Sequence, residues 1–135
     1  MSVRVVRLGT PREAGEGTRI GTVRRPPRGV PKTEFATRNW YDVWFPNLAP
    51  SVETIKLGQA AGTHAQWAVF MKKYRGEMST PDSKHTLELL AALSHSCSFS
   101  VGCYCQDEAR CHRSILRALL AENGAMLTAH APRRK

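Results

Sequence analysis

The chain has no apolar run approaching the ~20 residues that would carry a helix across a bilayer. Its first residues, MSVRVVRLGTPREAGEG, lack the apolar core of a secretory signal. A helical membrane span is therefore excluded by composition, and a cytoplasmic location is the expectation. Cysteine is scarce and confined: the four are Cys97, Cys103, Cys105 and Cys111. Bridges within so short a segment cannot staple distant parts of a fold, so free thiols in a reducing compartment are expected. No internal repeat or low-complexity tract breaks the chain.

Acidic residues are also few, 11 against 20 Lys and Arg, a net charge of +9 over 135 residues. The imbalance is local. Residues 1–40 hold nine Lys or Arg against Glu13, Glu16 and Glu34, and Arg133, Arg134 and Lys135 form a basic tail within 132–135. Residues 41–132 balance. A basic N-terminal third on a neutral body points to an anionic partner: a phosphate, a nucleotide or a nucleic acid. A solubilising surface, or a basic interaction protein without catalysis, accounts for the same charge. A hydrophobic content of 41% is that of a globular chain, and the length suits one domain.

What is present is an alternation of strand and helix signals. SVRVVRL (residues 2–8) is β-rich, and TRIGTV (18–23) follows the Gly/Pro-punctuated loop TPREAGEG. The segment RRPPRGVPK then forbids regular structure, leaving Arg24, Arg25 and Arg28 on a stiff loop after a strand. Ser51 with Thr54 marks a short helix over 52–57. Trp67, Phe70, Met71, Tyr74 and Met78 form one stripe on a helix over 64–78. Pro81 opens another helix, with Leu87, Leu90, Ala91 and Ser94 or Leu93 facing inward. CSFSVGCYC alternates as a strand, with Cys97, Phe99, Val101, Cys103 and Cys105 on one face. The last helix is expected over 109–122, closed by Asn123-Gly124. This order predicts an α/β fold with a small, mostly parallel sheet flanked by helices; a small α+β arrangement is the alternative.

The chemistry concentrates in CYCQDEARCHR, residues 103–113, at a strand–turn–helix junction. Ligands of open α/β sheets bind beyond the carboxyl ends of strands, where helix N-termini favour anions. Arg110 and Arg113 add donors suited to phosphate, and Cys111, in the first helical turn, is the expected reactive thiolate. Asp107 and Glu108 oppose this by competing for the same field. A tyrosine-phosphatase loop is excluded, because the sixth residue after Cys103 is Ala109 and the sixth after Cys105 is Cys111, not arginine. Cys103, Cys105, Cys111 and His112 are candidate zinc ligands, although their spacing matches no common zinc module. Cys105–Cys111 or Cys103–Cys105 redox chemistry is a further alternative without a Cys-x-x-Cys motif. For the strand cysteines a core position is favoured, and His112 shares its helix face with Ile115, Leu116 and Leu119.

PPRGVPK, FPNLAPS and WAVFMKKYRGEM, in that order, resemble the YeaO-like group of bacterial proteins of unknown function. CYCQDEARCHRSILRALL is similar to the C-terminal signature of the wider domain-of-unknown-function 488 superfamily, a strand with Cys followed by Cys-His-Arg opening a helix. The resemblance spans about residues 18–122 and implies an α/β fold without an assigned activity. Matching positions are Pro27, Arg28, Gly29, Pro50, Ser51, Phe70, Tyr74, Glu77, Cys105, Cys111, His112 and Arg113. The chain departs from the YeaO-like pattern in having Val23 before Arg24 and in its Cys-His-Arg ending.

The combined expectation is a protein that binds a phosphate-bearing ligand through Arg24, Arg28 and Arg113, with Cys111 and His112 beside it. Glu77 is a candidate acid or base if it reaches the same cleft. No cofactor is required, and zinc or thiol redox chemistry is the alternative of a different class.

Overall fold

A computed structural model describes residues 1–105 and 111–128. The expected final-helix start at 109–110, the side chains of Asp107, Glu108 and Arg110, and the basic tail at 132–135 lie outside the described residues.

Four strands form one all-parallel sheet: β1 Val3–Arg7, β2 Thr18–Gly21, β3 Val43–Trp44 and β4 Phe99–Cys103. Their spatial order is β1-β4-β2-β3. The C-terminal strand β4 thus inserts between the two N-terminal strands, pairing Val101 with both Val5 and Ile20. That position explains its composition. All five residues of FSVGC are buried, as a central parallel strand covered on both faces requires. Gly102 is needed at this crossing point, since a Cβ there would stand 2.6 Å from the Val6 carbonyl oxygen.

Four helices surround the sheet: α1 Val52–Ala60, α2 His64–Glu77, α3 Pro81–Leu93 and α4 His112–Glu122. The α2 stripe is as expected, with Phe70, Tyr74 and Met78 buried and Trp67 and Met71 packed against them. In α3, Leu87, Leu90, Ala91 and Ser94 face inward while Leu93 is exposed. Ile115, Leu116 and Leu120 of α4 complete a core with Val3, Val5 and Val101. Gly124 closes α4 at φ +84°, the left-handed conformation expected of Asn-Gly.

Several boundaries differ from expectation. β2 ends at Gly21 rather than Val23, α1 extends to Ala60, and the short edge strand β3 has no alternating pattern to announce it. β4 is shorter than CSFSVGCYC; Cys97 lies before it and is exposed, bonded to the Leu93 carbonyl. Cys105 follows it and is also exposed, so the expected core position does not hold for Cys105. The reason is strand length: β4 leaves the sheet after Cys103, and the alternation that would bury Cys105 ends there.

TPREAGEG, expected as an ordinary loop, contains one arm of a buried ion pair. Arg19, fully buried, donates two bonds to Glu16, 2.7 Å from Nε to Oε2 and 3.0 Å from an outer nitrogen to Oε1. Its remaining nitrogen reaches the carbonyls of Thr10 and Asn39 at 2.9 and 2.7 Å. Glu16 also accepts from Ser100 Oγ on β4 and from the Glu13 N–H. Gly17, at φ +78°, makes this turn; a Cβ there would lie 2.0 Å from the Ser98 carbonyl oxygen.

Burial alone would raise the Glu16 pKa, but the bonds from Arg19, Ser100 and the Glu13 N–H outweigh it and hold it below the ordinary 4.5. Its contribution to stability is thus complete above about pH 4.5 and fades as the pH falls through the lower folded-state value. Urea denaturation should show wild-type stability declining over that acidic window. Glu16→Ala, which strands the Arg19 guanidinium, should cost about 3–5 kcal/mol at pH 7. A loss under 1 kcal/mol at pH 7 would contradict the role given to the pair.

Candidate functional site

Parallel strands deliver their carboxyl ends to one edge of the sheet, and the segments leaving β1, β2 and β4 enclose a cleft of about 940 Å³ there. Leu8, Gly9 and Thr10 follow β1, Val23 to Arg28 follow β2, and Tyr104 and Cys105 follow β4. The opposite wall is α1, through Ile55, Lys56 and Gln59. Five cationic side chains line the cleft: Arg7, Arg24, Arg25, Arg28 and Lys56. No carboxylate lines it among the described residues. Trp40 and Tyr104, in edge-to-face contact at 5.7 Å, form an aromatic side, and the buried Trp40 indole N–H has no partner among the described residues.

The expected arginines separate into two roles. Arg28 is exposed on the Pro-rich loop at the cleft, next to Gly29 at φ +72°. Arg24 lines the cleft while its guanidinium donates to the carbonyls of Pro50 and Ala49, tying the loop to the start of α1. Arg113 lies beneath. It is 4% exposed, donates to the Cys105 carbonyl, and does not line the cleft. Glu77 does not line the cleft either. Its carboxylate accepts from Ser51 N–H at 3.0 Å, Ser51 Oγ at 2.6 Å and Thr54 Oγ1 at 2.7 Å, clamping the N-terminus of α1. Burial opposes ionisation of Glu77, yet the Ser51 and Thr54 bonds keep its pKa below the ordinary value.

Cys103, Cys105 and His112 form the floor. Cys111 is the N-cap of α4 with φ −137°, not a residue of its first turn, and is 2% exposed. Its sulfur lies 2.6 Å from Cys103 Sγ and 3.6 Å from His112 Nδ1. His112 faces the core side, as its helix position implies, with its ring edge-on to Tyr74. Its Nε2 lies 2.9 Å from the Thr22 carbonyl, which only accepts, so Nε2 carries the proton and Nδ1 presents a lone pair to the sulfurs. Burial lowers the His112 pKa to about 4 despite the Thr22 bond and the Cys105 charge, so the ring is neutral at physiological pH.

The reactive thiol is consequently not the one expected from helix position. Hydrogen bonds from Cys103 and Cys111 pull the Cys105 pKa far below the ordinary thiol value, against burial and aided by Arg113. Cys103 is pushed up by its bonds to Cys105 and Cys111 and by burial. For Cys111 the Cys103 bond favours the thiolate, but Cys105 and burial prevail and its pKa rises to about 11. Of the three thiols, the exposed Cys105 is the one favoured as thiolate. Sequence reasoning placed Cys105 in the core because strand alternation continues through it; the run of residues after Phe99 contains no marker of where β4 ends.

The fold and cleft define a parallel α/β protein with a cationic cleft floored by a thiol–imidazole cluster. The chain belongs to the family DUF488-N3a, described as the active DUF488-N3 subclade, whose model matches residues 3–124. The YeaO-like resemblance is consistent with this membership. No curated protein and no solved structure matches the chain significantly.

In reduced, chelator-treated protein, iodoacetamide should label Cys105 at pH 6, with Cys103 and Cys111 unmodified in the native state. Peptide mass mapping reads this directly, and preferential labelling of Cys111 would refute the charge assignment. The His112 ring resonances should not shift between pH 5.5 and 8, since about 4 lies well below that range.

Proposed function

We propose that the cleft binds a phosphate-bearing ligand, a nucleotide or a nucleic-acid segment. The observation that carries the reading is the five-cation lining, drawn from β1's end, the Pro-rich loop and α1, with no facing carboxylate among the described residues. A site so built lowers the cost of desolvating an anion and offers the arginine forks that suit phosphate oxygens. The location supports it, because the strand ends of an open parallel sheet are where such ligands bind. Trp40 and Tyr104 supply surfaces against which a base can rest.

Arg25, Arg28, Arg7 and Lys56 are exposed and supply the ligand contacts in this reading; Arg24 holds the loop in place. Arg113, assigned to the ligand from sequence, acts instead through the Cys105 carbonyl it holds. Trp40 fluorescence and calorimetry with nucleoside phosphates and short oligonucleotides test the proposal. Arg28→Ala and Arg25→Ala should each weaken binding about tenfold, as expected for a lost charged hydrogen bond. Affinity should also fall steeply with salt. Binding of long polyanions alone, with no nucleotide binding, would favour a basic interaction surface instead. Unchanged affinity in both arginine variants would overturn the cleft as the site.

A further inference from the structure

Cys103, Cys111 and His112 are brought together from the end of β4 and the start of α4, with their ligand atoms all within 4.8 Å of one another and all three residues buried. The two sulfurs, 2.6 Å apart, are closer than the contact distance of two thiols and must part to hold an ion or close to a bond on oxidation. Two further features favour an ion. The His112 lone pair at Nδ1 is directed at Cys111, and the Thr22 carbonyl fixes that tautomer from the other side of the ring. This is the arrangement by which protein metal sites orient a histidine ligand, and a disulfide has no use for it. In addition, Cys105 lines the cleft floor with Cys103 and His112, and its sulfur, outside the three-residue cluster as it stands, offers a fourth donor.

We propose that Cys103, Cys105, Cys111 and His112 bind one zinc ion, with three thiolates and one imidazole in tetrahedral array. Soft sulfur with a single imidazole selects zinc over the hard cations. Tetrahedral ligation at about 2.3 Å for sulfur and 2.0 Å for nitrogen sets neighbouring donors ~3.5–3.8 Å apart. The Cys111–His112 separation of 3.6 Å already meets this, and the Cys103 and Cys111 sulfurs part by about 1 Å. The ion ties the end of β4 to the start of α4, and so fixes the floor of the cleft. It differs from the phosphate proposal in its ligands and stands without it: the cleft's cations touch neither His112 Nδ1 nor the sulfurs in any hydrogen bond of the described residues.

The test uses full-length protein purified under reducing conditions without chelator, then analysed for metal and titrated with Co²⁺ after chelation. Zinc at one per chain is expected, and Co²⁺ should give the ligand-field bands of a tetrahedral site with sulfur-to-cobalt charge transfer. Cys97→Ser, outside the cluster, should bind like wild type. Cys105→Ser should retain binding with weaker charge transfer and at least about tenfold lower affinity. Cys111→Ser should lose stoichiometric binding; should that variant fail to fold, the wild-type cobalt spectrum decides. Fully reduced wild type that takes up neither zinc nor cobalt overturns the proposal. So does a cobalt spectrum without sulfur charge transfer, or retention of full binding by folded Cys111→Ser. A Cys103–Cys111 disulfide in the purified protein, with no metal uptake after reduction, would assign the pair to redox chemistry instead.

Discussion

The Arg19–Glu16 pair organises the N-terminal half. A guanidinium with no solvent exposure is tolerable only when each nitrogen finds an acceptor, and here a carboxylate and two carbonyls supply them. Because those partners come from Thr10, Glu16 and Asn39, one side chain on β2 fixes both the loop after β1 and the segment leading to β3. Ser100 adds β4 through its bond to Glu16, so a single network joins β2 and β4 to the loop after β1 and the segment before β3. The Arg19 N–H meets Asp42, whose carboxylate also pairs with Arg12 at 2.8 Å; that exposed pair contributes less than the buried one.

This network determines where the cleft lies. The lining loop that departs from β1 is held by Arg19 at Thr10, and Asn39, beside the lining residue Trp40, is held by the same guanidinium. The opposite wall depends on Glu77, which fastens the first turn of α1 to the C-terminal end of α2. Arg24 then joins the Pro-rich loop to the same corner through Ala49 and Pro50. Three charged side chains thus serve as ties, while the cations left over at the rim carry no such duty.

Much of the fold was legible because burial imposes periods. The α2 stripe, the inward His112 and the Gly124 cap all follow from local spacing, and all three are found. The parallel α/β class followed from the order of segments. What local pattern does not carry is pairing at a distance. Nothing near Glu16 marks it as the partner of a buried arginine, and two-residue β3 is a strand only because Ile20 and Gly21 pair with it. The site was half legible for the same reason. The motif Cys103 to Arg113 was found, but the exposure of Cys105 depends on where β4 stops, and the burial of Cys111 depends on its being an N-cap against Cys103.

That exchange of roles follows from topology. β4 is the central strand, so its last residue, Cys103, is covered from both sides, and a helix leaving nearby must pack its first residues against the same core. Cys111 and His112 are therefore drawn inward, and Arg113 with them. Cys105, beyond the end of β4, is exposed and lines the cleft. Arg113, held by the Cys105 carbonyl, lies beneath this exposed thiol, and the rim arginines line the same cleft. The same crossing that gives the sheet its order thus buries Cys103 and Cys111 and leaves Cys105 exposed at the cleft.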